Sequence, residues 1–323
     1  MTTTPHTALD QSAFTASVQR HRRELHVHCY RMLGSFEESE DAVQETFLRA
    51  WRRRDTLKEH SALRAWLYKI ATNACLDALD KRPRSVSATG EVAWLQPYPD
   101  ELLEELAGEG DDPEAAAVEK ETIELAYLVA IQRLPPLQRA VLILRDVLDC
   151  SAKETADVLE TSTPAVNSAL QRARAAMKEH LPERRSEWPA NVDATSAERD
   201  LLARYVEASE RAELVGFKCL FSEDLRFSMP PEPGVWEGRD NVLQSWVEGG
   251  FGSEAFGSLR CVPTYANRQP AVVNYIHRPG DDGYSALAID VLRIADGAIA
   301  EIVTFDAAVF SWFGLPETLP RDR

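Results

Sequence analysis

Apolar residues recur with a helical period through the segment SFEESEDAVQETFLRAWRRR, residues 35–54. Three of them fall on every fourth position and share one face of the predicted helix: Val43, Phe47 and Trp51. Three carboxylates share a second face: Glu38, Asp41 and Glu45. Acidic residues near the N-terminus and arginines near the C-terminus suit the helix dipole, so an ordinary surface helix would show the same pattern. The pattern predicts the helix and leaves the purpose of its acidic face open.

The helical period extends over most of the first 84 residues. Helical spacing begins at Phe14, and Gly34 marks the predicted end of the first helix. The second helix is the segment described above and ends at Arg54. A third covers ALRAWLYKIATNACLDALDKR and ends before Pro83. The sequence therefore predicts an all-helical module over residues 14–84.

An acidic segment with prolines and glycines separates this module from the next. Residues 85–116 break the helical period, which is typical of a linker between domains. The stretch VAWLQPYP inside it is too apolar for an inert linker. Three of its side chains are predicted to dock on another part of the protein and to form a regulatory linker: Trp94, Leu95 and Tyr98.

The clearest local signal lies in the second helical segment, residues 117–183. CSAKETADVL offers Ser151 and Glu154 as a capping box that opens a short helix, and ETS follows as a tight turn. A long helix then begins, with Thr163 as its predicted cap and Pro164 in its first turn. Its predicted buried stripe is Val166, Leu170, Ala173, Met177 and Leu181, and its predicted exposed residues are Asn167, Ser168, Gln171, Arg172, Arg174 and Lys178. This order indicates a helix-turn-helix, although a helical hairpin in an ordinary bundle would have the same pattern.

The period changes after about residue 195. One amphipathic helix is predicted from Arg199 to Glu213, and period-2 alternation follows in LRFSMPP, RCVPTYANRQPAVVNYIHR, YSALAIDVLRI and AIAEIVTF. The second of these predicts one extended segment followed by the turn PGDDG, and Asp296-Gly297 predicts a hairpin between the last two. A helix followed by antiparallel strands indicates a separate α+β domain over residues 195–317.

Charge is distributed unevenly along the 323 residues. The whole chain carries −16, which by itself argues against a nucleic-acid partner. Residues 1–84 carry a net +3 and residues 121–185 are neutral, whereas residues 85–120 and 186–323 carry −9 and −10. The acidic character therefore belongs to the linker and the C-terminal domain, and both helical modules remain compatible with binding nucleic acid.

Composition limits the remaining classes of function. The chain is 44% hydrophobic and 27% charged, without an apolar run of the roughly 18 residues that cross a membrane. Its N-terminus, MTTTPHTALDQ, lacks the basic start and apolar core of a signal peptide. The five cysteines are widely spaced, which argues against a disulfide framework or a zinc site. We expect a cytoplasmic protein with no membrane partner, no metal and no cofactor.

Two helical modules joined by an acidic linker, the second a helix-turn-helix, resemble the extracytoplasmic-function (ECF) sigma factors of the sigma-70 superfamily. SEDAVQETFLRAW is similar to their region 2.2, ALRAWLYKIATNACLDALDKRPR to regions 2.3 and 2.4, and LPPLQRAVLILRDVLDCSAKETADVLETSTPAVNSALQRARAAM to region 4. The remainder, with DLRFSMPPEPGVWEGRDNV after its opening helix, resembles a SnoaL-like (NTF2-like) domain. The resemblance implies a multidomain fold class, with two all-α sigma modules (a region 2 bundle and a region 4 helix-turn-helix) and an α+β NTF2-like cone.

This resemblance implies a factor, not an enzyme, whose partners are core RNA polymerase and promoter DNA. In the family the region 2.2 helix binds the clamp of the largest polymerase subunit, and Asp41, Gln44 and Glu45 match the contacting positions. An acidic face suits a basic partner, while the basic end of the helix, Arg49 and Arg52 to Arg54, would point toward DNA phosphate or the following segment. The candidates for contact with the −10 element are Arg64, Tyr68, Asn73, Asp77, Lys81 and Arg82. Tyr68 is the candidate for base stacking, and Trp66 is predicted to lie in the core.

The resemblance also places recognition of the −35 element at the start of the second region 4 helix, in the major groove. The candidate residues are Thr163, Asn167, Ser168, Gln171 and Arg172. Asn167 and Ala169 stand where many relatives have Lys and Arg, and Asp80 interrupts a tract that is often basic. These departures leave the preferred −35 sequence open.

The C-terminal domain admits alternatives. We interpret it as a regulatory module that contacts the linker or region 4, with a small molecule as a candidate ligand. Because such cones also host isomerases and cyclases, an enzymatic domain is the alternative, with candidate residues His277, Asp290, Asp306, Tyr275, Tyr284 and Arg268. Fold alone does not determine chemistry. A third interpretation, a helix-turn-helix repressor with a sensor domain, leaves the region 2 resemblance unexplained.

Overall fold

The computed structural model describes residues 11–57, 62–81, 92, 94–103, 123–180 and 196–321. The chain divides into two compact units, residues 1–83 with 134–176 and residues 84–133 with 177–323. Each unit therefore combines segments that are far apart in sequence. The linker residues that the structure describes belong to the second unit, together with the C-terminal domain.

The described residues form the following α-helices, in chain order. They are α1 Gln11–Gln19, α2 Arg22–Leu33, α3 Phe36–Arg53, α4 Leu63–Lys81, α5 Leu125–Gln132, α6 Pro136–Leu142, α7 Ala152–Val158, α8 Thr163–His180, α9 Ser196–Glu210, α10 Leu214–Lys218 and α11 Arg239–Glu248. Shorter helical turns are Arg54–Thr56 and Ala307–Phe313, both 3₁₀, and Ile143–Val147, a π-helical turn. In the part of the chain that the structure describes, no helix has the length and hydropathy of a membrane span.

Two residues end α2 and begin α3. Gly34 adopts a left-handed conformation (φ 71°), and its N–H donates to Tyr30 O, which ends α2. Ser35 is the N-cap of α3, since its side chain accepts from Glu38 N. The predicted stop at Gly34 is therefore confirmed, although the predicted first helix is two helices, α1 and α2.

The buried face of α3 differs from the predicted apolar stripe. Val43 is fully buried, but Phe47 and Trp51 are only half-buried. The buried positions are mostly small residues: Ser39, Ala42, Val43, Thr46 and Ala50. Small side chains let helices approach closely, and the two larger rings lie at the margin, with Trp51 under the Arg54 guanidinium at 4.4 Å.

Two neutral histidines lie in the core of the first unit. Burial, followed by the charge of Arg31, lowers the pKa of His28 to about 3, and burial with the charge of Arg22 lowers the pKa of His26 to about 4. The hydroxyl of Thr72 donates to Tyr68 O at 2.7 Å, so it accepts from His28 Nε2, which lies 2.9 Å away. His28 is therefore held as the Nε2–H tautomer.

This burial predicts a dependence of stability on pH. Because the histidine pKa is lower in the folded state than the ordinary 6.5, the unfolded chain binds more protons below pH 6.5. The free energy of unfolding of the first unit should fall by about 2 kcal/mol per buried histidine between pH 7 and pH 4.5. In His28→Phe the fall should be smaller, as measured by urea unfolding at a series of pH values. If His28→Phe had the same pH dependence as the partly exposed control His277→Phe, this account would be contradicted.

The helix-turn-helix forms as the sequence predicts, except at one cap. Ser151 and Glu154 make the capping box that opens α7. Glu160 adopts a left-handed conformation (φ 52°) in the turn. The N-cap of α8 is Ser162, not Thr163, because the Ser162 hydroxyl accepts from Ala165 N and its carbonyl from Val166 N. Thr163 is instead the first helical residue.

The second unit contains a mixed sheet. Its strands are β1 Phe221–Ser228, β2 Val235–Glu237, β3 Ser258–Ala266, β4 Gln269–His277, β5 Gly283–Ala295, β6 Ala298–Asp306 and β7 Thr318–Pro320. The order is β2-β1-β6-β5-β4-β3, with β7 paired to β5. Most pairs are antiparallel, but β1 runs parallel to β6, so the expectation of a wholly antiparallel sheet is wrong. The predicted β5–β6 hairpin at Asp296-Gly297 is confirmed.

The extended segment RCVPTYANRQPAVVNYIHR is two strands, not one. β3 and β4 pair in register from Ser258↔His277 to Ala266↔Gln269, and Asn267 and Arg268 form the turn. Both turn residues have positive φ, 56° and 59°. Such a turn is usually marked by a glycine, and Asn-Arg gives no comparable sequence signal. Helices α9, α10 and α11 pack on the sheet, where Tyr205, Phe217, Phe221 and Trp246 form part of one core.

Candidate functional site

The exposed face of α3 presents the three residues that match the polymerase contact. Asp41 and Gln44 are exposed and Glu45 is partly exposed. Leu48 lies one turn further along this face and is 52% exposed, which is unusual for a large apolar side chain. Sequence analysis missed Leu48, although its position outside the Val43 stripe could have revealed it. The face thus combines acidic and amide groups with one apolar side chain.

Arg49 lies between this face and the −10 candidates. Its Nε donates to Glu45 Oε1 and its Nη1 donates to Asp77 Oδ2, both at 2.7 Å. These bonds with Glu45 and then Asp77 raise the pKa of Arg49 further above its ordinary value. Arg49 was predicted to point toward phosphate or the following segment. It contacts α4, which begins the following segment.

Arg64 and Tyr68 form a cluster with Glu24 at the start of α4. Arg64 Nε and the Tyr68 hydroxyl both donate to Glu24 Oε2, at 2.8 and 3.1 Å. The Arg64 guanidinium lies over the Tyr68 ring at 4.9 Å. Burial, followed by the charge of Glu24, raises the pKa of Tyr68. Tyr68 is buried and Trp66 is half-buried, the reverse of the predicted order, so stacking of a base on Tyr68 would require Arg64 to move.

Two further residues of α4 contact the helix-turn-helix. Lys69 Nζ donates to Asp157 O at 2.7 Å and lies 3.3 Å from Glu160 Oε1. Asn73 Nδ2 donates to Lys69 O at 2.9 Å and lies 3.4 Å from Val158 O. The end of α7 therefore covers the middle of the −10 candidate face. Of the remaining candidates, Lys81 is exposed at the last residue of α4, and Arg82 lies outside the described residues.

The −35 candidates lie together along α8. Thr163, Asn167, Ser168, Gln171 and Arg172 are all exposed. The predicted stripe is buried at Val166, Leu170, Ala173 and Met177, and Leu181 lies outside the described residues. Arg174 is oriented by Asp146, which accepts from its Nε and Nη2 at 2.9 and 2.6 Å. The first half of α8 thus presents a continuous polar surface.

The linker is held by the β3–β4 turn of the second unit. The buried Asn267 accepts from Tyr98 N at Oδ1 and donates from Nδ2 to Ile123 O, both at 2.8 Å. Arg268 N donates to Asp100 Oδ1 at 2.8 Å. Gln269 Oε1 accepts from Leu125 N at 3.0 Å, at the first residue of α5. We call Asn267, Arg268 and Gln269 the linker clamp. Sequence analysis missed it because the turn was read as part of a strand.

The three linker residues have different surroundings. Leu95 and Tyr98 are buried, while Trp94 is half-buried and its Nε1 lies 3.4 Å from Gln132 Oε1 in α5. Residue Asp100 is also buried. The described part of the linker is therefore packed within the second unit and fixed at Tyr98 and Asp100.

The residues of the enzymatic alternative have separate partners. Asp290 is buried, and its oxygens accept from Thr304 Oγ1 (2.5 Å), Asn274 Nδ2 (2.7 Å) and the Tyr205 hydroxyl (3.0 Å). Burial raises the pKa of Asp290 although these donors oppose the shift. The others are engaged elsewhere: His277 with Asp281 O, Tyr284 with the His277 ring, Asp306 with Ala308 N, Tyr275 with Pro316 O, and Arg268 in the linker clamp. The Asp290 cluster is typical of a structural network that joins α9 to the sheet.

Three family models match the chain. They are Sigma-70 region 2 over residues 17–85, Sigma-70, region 4 over residues 124–177, and the SnoaL-like domain over residues 202–302. The ECF RNA polymerase sigma factor SigG of Mycobacterium tuberculosis is 38% identical, with the alignment covering 95% of this chain and 85% of SigG. The chain belongs to the ECF sigma factors of RNA polymerase. Sigma factors bind core RNA polymerase and promoter DNA.

A second relative and its crystal structure match most of the chain. The ECF sigma factor SigJ of Mycobacterium tuberculosis is 29% identical, over 87% of this chain and 88% of SigJ. The crystal structure of SigJ superposes with a TM-score of 0.61 at 24% identity, covering 95% of this chain and all of that one. The ECF sigma factor described here therefore shares its fold, helical sigma regions followed by a mixed α+β domain, with SigJ.

Proposed function

We propose that this ECF sigma factor binds core polymerase through the exposed face of α3, reads the −35 element with α8 and the −10 element with α4, and is regulated by its SnoaL-like domain. The observation that carries promoter reading is the continuous polar surface of α8, which lies opposite a buried stripe. Run-off transcription with core polymerase tests the proposal. Transcripts that start at a fixed position only when the protein is present would support it.

The chemistry of the α8 surface fits the major groove. Arg172 has two donors that suit the O6 and N7 atoms of guanine, and the amides of Asn167 and Gln171 suit adenine. Asn167 and Gln171 lie one turn apart on one side of the helix, and Arg172 lies on the adjoining side. Side chains of this kind supply base selectivity, while neighbouring hydroxyls at Thr163 and Ser168 suit phosphate.

We expect Gln171→Ala and Arg172→Ala to reduce initiation selectively at promoters that carry a matched −35 element. Each lost base contact should cost about 1–3 kcal/mol, which is about 5- to 150-fold in promoter affinity. The measurement is the run-off yield on a matched template and on one with a scrambled −35 element. Arg204→Ala, an exposed arginine of α9, is the control and should leave both yields unchanged. Equal losses on both templates would show that Gln171 and Arg172 do not read bases.

Regulation by the C-terminal domain is supported by the linker clamp. The clamp holds Tyr98 and Asp100 before the acidic stretch and Leu125 after it. Because α5 is part of the region 4 match, the clamp fixes the start of region 4 relative to the SnoaL-like sheet. A change in the SnoaL-like domain would therefore reach the first residue of α5 through the hydrogen bond of Gln269 to Leu125 N.

A further inference from the structure

Arg49 contacts two carboxylates that belong to different proposed functions. Glu45 lies on α3, on the face proposed for polymerase, and Asp77 lies on α4 among the −10 candidates. A single guanidinium joins them through different nitrogens, each at 2.7 Å. The side chains of Glu45 and Asp77 are 40% and 53% exposed, so both remain accessible to an external partner.

We infer that Arg49 is a positioning residue that links polymerase binding at Glu45 to the orientation of Asp77 toward the −10 strand. The inference rests on the proposed function. In the free protein two carboxylates share one guanidinium. A basic partner that binds Glu45 competes with Arg49 for Oε1, and the guanidinium is then available to hold Asp77 alone.

The charges of Arg49 and Asp77 determine whether the loss of Arg49 weakens or strengthens binding of the −10 strand. Alone, Asp77 would present an uncompensated carboxylate to an approaching phosphate chain, which is unfavourable. Paired with Arg49, it is neutralised and fixed in one orientation, because the planar guanidinium binds a carboxylate with defined geometry. Removing Arg49 should therefore weaken strand binding, while it releases Glu45 for polymerase.

This reasoning predicts that only one of two affinities falls. In Arg49→Met, the affinity for core polymerase should be unchanged or up to about three-fold tighter. The affinity of the holoenzyme for a fluorescent single-stranded −10 oligonucleotide should fall about five-fold, the size expected for one partly exposed pair. A loss of structure would lower both affinities together. Arg49→Lys, which keeps the charge but not the planar fork, should give an intermediate oligonucleotide affinity.

A double-mutant cycle shows whether Arg49 acts through Asp77. If it does, Arg49→Met in an Asp77→Asn background should change oligonucleotide binding by less than about two-fold. The slope of log K against log salt should also match that of the parent protein. A phosphate contact by Arg49 would instead lower that slope by about 0.7. Arg211→Met is the matched control, because Arg211 makes the same i,i+4 pair with Glu207, at 2.8 Å, in the C-terminal domain.

Three results would overturn the inference. They are additive losses in the double mutant, a salt slope that falls when Arg49→Met is made in the Asp77→Asn background, and equal weakening of polymerase and oligonucleotide binding. A different result would separate the inference from the proposed function. If the parent protein bound both core polymerase and the oligonucleotide, and Arg49→Met changed these two affinities no more than Arg211→Met, the role of Arg49 would be wrong. The proposed function would still stand. If the parent protein bound neither, the proposed function would be wrong and the inference with it.

Discussion

Asp41→Arg combined with Glu45→Arg is expected to weaken binding to core polymerase by about 100-fold or more. The two carboxylates lie one turn apart on the exposed face of α3, and each reversal at a desolvated contact should cost about 1–3 kcal/mol. The neighbouring Leu48, 52% exposed, is available to pack at the centre of such an interface, where apolar anchors contribute most. The measurement is the dissociation constant of the protein and labelled core polymerase at two salt concentrations.

The control for this variant carries the same change of net charge elsewhere. Asp200→Arg with Glu207→Arg reverses two exposed carboxylates of α9 and should leave the affinity for core within about two-fold. Each double variant loses one i,i+4 ion pair, Glu45–Arg49 or Glu207–Arg211, so the thermal unfolding of the two variants should change by a similar amount. Retained co-purification of the α3 variant with core would refute the assignment of this face.

Asn267→Ala is expected to release the linker and to change the yield of open promoter complexes. The substitution leaves Tyr98 N and Ile123 O without their partner and places alanine at a positive φ of 56°. Together these effects should cost about 2–4 kcal/mol locally. Hydrogen exchange of the Tyr98 amide should accelerate by about 100-fold, and the open-complex yield should differ from that of the parent protein by at least about three-fold.

Two substitutions distinguish the effect of the turn conformation from the effect of the hydrogen bonds that the Asn267 side chain makes. Asn267→Gly keeps the left-handed turn but loses both side-chain bonds, so it should also release Tyr98. Arg268→Gly favours the turn at φ 59° and keeps the main-chain bond to Asp100, so it should leave Tyr98 protected. A point variant is preferable to truncation, because removing the domain would expose Leu95 and Tyr98. If exchange accelerated in Asn267→Ala while the open-complex yield stayed constant across salt concentrations, the domain would have no regulatory role through the clamp.

Much of the helical part could be predicted because its signals are local. Gly34 ends a helix, and the capping box of Ser151 and Glu154 begins one, through contacts within one turn of the backbone. The structure confirms both predictions. The order of the helical part and the α+β part could also be predicted, since the helical period gives way to period-2 alternation after about residue 195. Exposure of the α8 residues followed directly from the stripe that begins at Val166.

The remaining features depend on contacts between distant segments. The order of burial of Trp66 and Tyr68 is set by Glu24, 44 residues before Tyr68, which the helical period of α4 does not reveal. The parallel pairing of β1 with β6 joins the first and sixth strands in chain order, and no turn residue in the sequence indicates this pairing. The linker clamp depends on Asn267 and Tyr98, 169 residues apart. Such contacts have no periodic signature in a single sequence.

The contact of Asn73 and Lys69 with the end of α7 limits which conformations can occupy a promoter. The names of the two promoter elements place their centres about 25 base pairs apart, or about 85 Å at 3.4 Å per base pair. Asn73, however, lies only 3.4 Å from Val158 O, beside the turn that leads into α8. If α4 and α8 read these elements as proposed, one DNA molecule cannot be read at both elements while this contact persists. Promoter binding would then require the contact between Lys69 and Asp157 O to open, and promoter affinity would be reduced by the fraction of molecules that remain closed.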